Sequence, residues 1–416
     1  MASASVMRVA VVGGGVIGLA CAWYLRRSGA EVVVLERDRC GEATSRGNAG
    51  WITPGLSNPI PAPGVTGQAL RWMGKADSPF LLRPRLDPAF AGWLWRFWRS
   101  SSRRAYLRGM RALLALNAAT LHLYDELRAD GVEFEMHADG MLFLFLTAAA
   151  FEEELHVLRE LQREGYPGLV TPMTGREAQA RDPAVGDRVT GAIFAPRERH
   201  VRPETLTRGL VAALVAAGAE IREGTEVTDL ARAGRGWRLQ TAAGPFDADR
   251  VVVAGGVWTG RILARVGVPI RQEPAKGYSV TAVGEGTAPR HALYLGEAKV
   301  GCSPFEGGVR LAGTLELAGM DLRLDRQRLA AVTHAAEAYM KDWRPLRPEL
   351  EWAGLRPLPA DSLPLIGRAP GHSGLFVATG HGMLGVTLAP ATGAALAPLV
   401  LRDELVKEIE PFHISR

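Results

Sequence analysis

Gly13, Gly15 and Gly18 stand at the spacing G-x-G-x-x-G, and no other feature restricts the fold of this chain as tightly. They separate an apolar run, Arg8 to Val12, from a stretch of helical periodicity, Val16 to Arg27, that stops at Ser28-Gly29. A second apolar strand, Val32 to Leu35, ends in Glu36. Gly13 turns the chain sharply off the first strand. Gly15 lets a pyrophosphate approach the backbone at the positive end of the helix, and Gly18 lets that helix pack close to the sheet. Glu36, at the tip of the second strand, can accept hydrogen bonds from a ribose hydroxyl pair. A free ribose fits FAD or NAD better than NADP. A plain glycine-rich turn would not need the strand, the helix and the terminal acid all in place.

A chain of 416 residues is too long for one small core, so two domains are expected. A net charge of +5 is too mild to argue for a nucleic-acid partner. Cys21, Cys40 and Cys302 show neither paired nor metal-ligand spacing, so no metal is expected and a reducing compartment fits. The glycine turn begins too early for a signal peptide to precede it. No uncharged apolar run is read as approaching the roughly 18 residues of a membrane span. A cytoplasmic protein, soluble or peripheral on the inner face of the membrane, is the expectation.

Arg37 to Gly50 is a loop of small residues and hydroxyls that could bond phosphates and lie against a planar ring. Pro54, Pro59, Pro61 and Pro63 carry the chain away in extended form. From Gln68 to about Asp130 the pattern is helical and basic, from Arg71 and Lys75 through Arg111, with Trp93, Trp95, Phe97 and Trp98 interleaved. Packing of these aromatics against a neighbouring domain is the favoured reading, and contact with an anionic membrane the alternative. Gly140 to Leu146 is a buried strand, Ala148 to Glu164 a helix, Thr174 to Ala180 a short helix, and Gly191 to Phe194 a strand leading to a polar corner at Arg197 to His200. Pro203 opens a long helix, as proline suits a first turn. Strands resume from Glu220, with a meander up to Ala248 and an apolar strand from Arg250 that ends in Gly255-Gly256. Strands from Lys276 to Gly313 are expected to join Met141 to Leu146 in one mixed or antiparallel sheet. A last strand, Leu375 to Thr379, turns at Gly380-His381-Gly382 into a small-residue helix, whose amino terminus carries about half a positive charge.

These residues together resemble the FAD-dependent amine and amino-acid oxidoreductases of the D-amino-acid oxidase type, and among them the bacterial D-amino-acid dehydrogenases. The resemblance covers nearly the whole chain. It rests on the glycine turn with Glu36, on Asn48-Ala49-Gly50, on Lys276-Gly277-Tyr278, on Gly354-Leu355-Arg356-Pro357 with Asp361 and Pro364, and on Gly380-His381-Gly382 through Gly385 and Thr387. It implies an α/β fold with two parts. A discontinuous Rossmann-like FAD-binding domain takes residues 1–66, 201–268 and 350–416. A substrate domain with a mixed β-sheet takes 67–200 and 269–349. FAD would lie along Gly13, Gly15, Val16, Ile17 and Gly18, with Glu36 and Arg37 near the adenosine ribose and Val227 near the adenine. Thr44, Ser45, Asn48, Ala49 and Gly50 would follow the pyrophosphate and ring. Ala254, Gly255 and the run Gly380, His381, Gly382, Met383, Leu384, Gly385, Val386 and Thr387 would lie under the flavin. No cysteine falls between Arg356 and Gly385, so the resemblance implies non-covalent FAD. Val309 to Gly313 holds no lysine of the kind some sarcosine-type oxidases place there, which favours a dehydrogenase over an oxidase.

The implied reaction is oxidative deamination of a D-amino acid. Arg356 would pair with the substrate carboxylate, helped by the Tyr278 hydroxyl, because its planar fork binds a carboxylate through two bonds. The Cα hydrogen would leave as a hydride to flavin N5, and the imino acid would hydrolyse to a keto acid and ammonia. His381 is a candidate for tuning the flavin or the substrate amine, with a purely structural role as the alternative. The expected partners are a small amino acid and an electron acceptor, a quinone or other carrier or oxygen. A glycine, sarcosine, proline or D-hydroxyproline oxidoreductase is the alternative within the group. A non-catalytic or electron-transfer flavoprotein subunit and an NAD-dependent dehydrogenase are the alternatives outside it.

Overall fold

The computed structural model describes residues 6–67, 78–283, 288–343 and 347–416. At its centre is a six-stranded sheet in the order Glu220–Arg222, Glu31–Leu35, Arg8–Val12, Arg250–Val253, Leu375–Thr379, Leu365–Arg368. All neighbours run parallel except the last pair. Both faces are covered, which is why these strands read as unbroken apolar runs. Val9, Val11, Val32, Val34 and Val252 meet the helices Val16–Arg27, Pro203–Ala216 and Gly385–Arg402. Ala10, Val12, Val33, Leu35, Val251 and Val253 meet the antiparallel meander Val227–Ala233, Gly236–Thr241, Gly244–Ala248.

Helix Gly385–Arg402 corrects one expectation, since it is long and apolar enough to cross a membrane. Instead it is mostly buried as a core helix, alongside Val16–Arg27. A methyl at Gly393 would sit 2.6 Å from the Ala20 carbonyl oxygen, so only glycine permits that approach.

The second sheet has nine strands and draws on widely separated pieces of chain. Met141–Phe145 pairs parallel with Ala292–Leu295, while Gly308–Leu317 runs antiparallel to both Gln272–Val283 and Val300–Phe305, and Val300–Phe305 antiparallel to Ala292–Leu295. Arg347–Pro359 pairs along Gln272–Val283, so a domain boundary at 350 cuts through a strand of this sheet. The pairing keeps residues 347–359 with the nine-stranded sheet.

The helical tract divides into Pro88–Ser100, Arg103–Asn117 and Thr120–Ala129, preceded by a short strand, Phe80–Leu82, parallel to Leu315–Leu317. Arg71 and Lys75 lie outside the described residues. Asp87 caps the first of these helices through the amides of Ala89 and Phe90. Thr174 caps Gly175–Arg181 in a capping box with Glu177. The corner at 197–200 is more buried than its polarity suggests: Glu198 and His200 are inside, and Arg199–Val201 pairs with Trp51–Ile52 and Met136–His137.

Candidate active site

A long cleft runs along the carboxyl ends of the parallel strands, where ligands bind in open α/β sheets. The chain leaves Val12 through Gly13, whose φ of +112° favours glycine and where a methyl would strike the Ala254 carbonyl. The helix that follows has Gly15 at its N-cap, no side-chain cap and no acid in its first turn. Its first amide, Val16 N–H, donates to Ser45 Oγ at 3.0 Å, and Gly14 N–H donates to Glu36 at 2.6 Å. A methyl on Gly15 would meet only Ser45 Oγ, at 3.5 Å, so the absent side chain leaves open space at a helix amino terminus.

Gly13, Gly15, Val16, Ile17, Glu36, Arg37, Thr44, Ser45 and Asn48 line this cleft. So do Val227, Ala254, Gly255, His381, Gly382, Gly385 and Val386. The remaining residues singled out as cofactor contacts do not line it. A methyl at Gly18 would overlap the Gly13 carbonyl, so Gly18 joins helix to strand. The Ala49 carbonyl accepts from Ser303 Oγ at 2.7 Å, and Gly50 lies against the Val201 carbonyl. Gly380 packs on Pro359, and Met383 is exposed. Leu384 is the N-cap of the last helix. Thr387 Oγ1 donates to the Trp51 carbonyl at 2.8 Å, fastening the strand after the loop.

Thr225, Glu226, Trp258, Arg261, Arg265 and Thr379 also line the cleft and were not singled out from the sequence. Trp258 stacks under the Arg37 guanidinium at 4.6 Å, and Thr379 Oγ1 donates to the Gly256 carbonyl at 3.0 Å. Trp258 stands two residues after the Gly255-Gly256 pair, and that was the available signal. None of the cysteines Cys21, Cys40 and Cys302 lines the cleft.

His381 is buried, with Nε2 3.0 Å from Thr392 Oγ1. Burial holds its pKa down at about 3, so the ring is neutral. Its Nδ1 is buried without a hydrogen-bond partner among the described residues, although the ring lines the cleft.

Arg356 sits between two tethers to this cleft. Thr44 Oγ1 donates to the Leu355 carbonyl at 2.9 Å, and Gly382 N–H to the Pro357 carbonyl at 3.0 Å. The Arg356 guanidinium lies across Gly277 of the paired strand, where any methyl would overlap it. Nη1 donates to the Thr314 carbonyl at 2.9 Å, and among the described residues no carboxylate pairs with it. Burial alone lowers its pKa to about 10, leaving the group charged at neutral pH. Trp352 packs on Gly354 and on Gly47 of the cleft loop, which closes this face of the sheet against the first domain.

Tyr278 does not join Arg356. Its hydroxyl donates to Glu316 at 2.9 Å on the opposite face of the strand, together with Lys276, because successive side chains in a strand alternate. Arg310 lies in the strand Gly308–Leu317, where some sarcosine-type oxidases were expected to carry a lysine. It is fully buried, bonds the carbonyls of Arg46 and Asn48 at 2.8 and 3.0 Å, and pairs with Glu204, so it braces the cleft loop.

Residues 8–399 match the family described as FAD dependent oxidoreductase, and the chain belongs to that family. It is 35% identical over 408 residues to a D-amino acid dehydrogenase of Phenylobacterium zucineum, covering 95% of this chain and 94% of that protein. It is 34% identical over 404 residues to a D-amino acid dehydrogenase of Paramagnetospirillum magneticum, covering 95% of each. Glycine oxidase from Geobacillus kaustophilus superposes with a TM-score of 0.79 at 27% identity over 99% of both chains. The cofactor is therefore FAD. The open cradle at Gly15, the uncapped helix starts at Val16 and Gly385, and the unpartnered His381 Nδ1 all fit it.

Proposed function

We propose that this FAD-dependent oxidoreductase oxidises a D-amino acid to its imino acid and works as a dehydrogenase. The observation that carries the reading is Arg356, a partly buried cation with no carboxylate partner among the described residues, fixed beside the cofactor cleft. Evicting water from a lone guanidinium is costly, and a substrate carboxylate offsets that cost through paired charge-assisted bonds. The relatives named D-amino acid dehydrogenase support the D configuration and the reaction type.

Gly13, Gly15, Val16 and Ser45 would hold the FAD pyrophosphate, Glu36 a ribose, and Ala254, Gly255 and the Gly382 turn the ring system. Bound FAD supplies the acceptor for the two electrons that the substrate loses. Arg356 binds the carboxylate and orients Cα. Trp352 and the sheet keep water from that face. His381, neutral, contributes a fixed ring and no charge. The imino acid hydrolyses in water to a keto acid and ammonia. A glycine or sarcosine substrate is the second reading, favoured by the likeness to glycine oxidase.

The test is anaerobic bleaching of the purified yellow protein by D-amino acids, L-amino acids, glycine, sarcosine and the prolines, followed by air. Bleaching by D-amino acids with slow recovery in air is expected. Bleaching by glycine or sarcosine alone moves the substrate to the second reading, and fast recovery with peroxide makes the protein an oxidase.

The acceptor we propose is a membrane carrier such as a quinone, met at the helix Pro88–Ser100. One face of that helix packs through Phe90 and Trp93, while Trp95 and Trp98 are 52% and 62% exposed beside Arg99. Aromatic rings with flanking cations suit an anionic bilayer surface. Sedimentation with phosphatidylglycerol vesicles, absent with phosphatidylcholine vesicles and lost in the double variant Trp95→Ala/Trp98→Ala, is the expected result. Equal recovery with and without vesicles would contradict it.

A further inference from the structure

Thr314 has a φ of +64°, and among the described non-glycine residues with positive φ it alone is β-branched. A β-branched residue there is a genuine outlier, and such strain gathers at functional sites. Its cause is visible in the register. Gly313 pairs with Tyr278 and Glu316 with Lys276, so Thr314 and Leu315 both stand opposite Gly277. This is a bulge, which re-aims the backbone locally.

The bulge has two consequences at one place. It turns the Thr314 carbonyl toward Arg356 Nη1, 2.9 Å away. It also leaves Thr314 Oγ1 buried with no hydrogen-bond partner among the described residues. A buried hydroxyl without a partner is unfavourable, and a strained residue carrying one invites an explanation. A carboxylate has about four acceptor positions, more than one guanidinium fork fills.

We propose that Thr314 is part of the substrate site: its carbonyl sets the Arg356 fork, and its Oγ1–H donates to the carboxylate that Arg356 binds. This rests on the reading of Arg356 given above. Among the described residues no acid accepts from this hydroxyl, and Glu316, two residues on, is engaged by Tyr278 and Lys276 on the other face.

The experiment titrates the FAD-loaded protein with propionate, a bare carboxylate, read from the visible flavin band. Thr314→Val keeps the branched shape without the donor. Thr314→Ser keeps the donor. Thr314→Gly keeps the left-handed backbone and its carbonyl without either. Loss of a charge-assisted bond should weaken propionate binding about tenfold in Thr314→Val and Thr314→Gly, with Thr314→Ser close to wild type. KM for D-alanine should rise in parallel while kcat changes little, the signature of lost ground-state binding. Wild-type affinity in Thr314→Gly and Thr314→Val, with Arg356→Lys still weakened, overturns the role of Thr314 and leaves that of Arg356 standing. Unchanged affinity in Arg356→Lys overturns both. If Thr314→Val fails to hold FAD, the glycine and serine variants decide in the same way.

Discussion

The two faces of the strand Gln272–Val283 treat charge in opposite ways. On one, Lys276 lies 3.6 Å from both Glu316 and Asp321, Glu316 pairs with Arg83 at 2.9 Å, and the Tyr278 hydroxyl caps Glu316. On the other, among the described residues, Arg356 lies over Gly277 with a single carbonyl partner, and the hydroxyls of Thr314 and Ser279 are buried without one. The paired face is structural, because its charges answer one another. On the function proposed above, a substrate carboxylate completes the unpaired face. Neighbouring residues 276, 277 and 278 thus serve unrelated ends, and parity along the strand decides which.

The largest break in this contrast is Arg356→Ala. Turnover of carboxylate substrates should fall by roughly a hundred- to a thousandfold in kcat/KM, as when one member of a buried charge pair is removed. FAD absorbance should be retained, because Arg356 does not line the cofactor cleft. Near-wild activity in that variant would mean that the unpaired face is idle.

Gly277→Ala sharpens the same point without removing a charge. The new methyl would displace the guanidinium. A shift of about an ångström at a reacting geometry costs on the order of a hundredfold. A loss in kcat/KM of that order with unchanged flavin content is expected.

A pH profile comes next in size. Substrate binding needs Arg356 charged, and its pKa is held down at about 10. Raising pH through that value removes the proton, so kcat/KM for an amino acid should fall at the alkaline end. His381, neutral down to about pH 3, should contribute no inflection near neutrality. A bell centred near pH 6.5 that disappears in His381→Ala would restore a titrating role to that ring.

The smallest effect belongs to Tyr278→Phe. It strips one bond from buried Glu316 and should cost about 1–3 kcal/mol of stability, seen as a lower Tm. KM for the amino acid should stay within a fewfold of wild type. A large KM increase would return Tyr278 to the substrate.

What the chain disclosed in advance follows the range of the interactions. The turn at Gly13, Gly15 and Gly18 and the acid at Glu36 are local, so spacing alone located one wall of the cleft. Arg356 is one arginine among many, and only its resemblance-bearing neighbours distinguished it. Tyr278 was expected to help Arg356 with the carboxylate, but its hydroxyl bonds Glu316 on the other face, because parity along a strand decides the face and the bulge opposite Gly277 arises from pairing with a distant strand. Thr314 was invisible for the same reason: its left-handed backbone is imposed by register. Helix Gly385–Arg402 is apolar along nearly its whole length because it is mostly buried, which composition cannot separate from a membrane span.

The most direct measurement compares D-alanine with D-alaninamide, which lacks only the carboxylate charge, by the rate of anaerobic flavin bleaching in wild type and in Arg356→Ala. The account predicts that wild type reduces with D-alanine roughly a hundredfold faster than with the amide, and that the gap collapses in the variant because the amide rate barely changes. Equal rates for acid and amide in wild type, or a gap that survives the loss of Arg356, would contradict it.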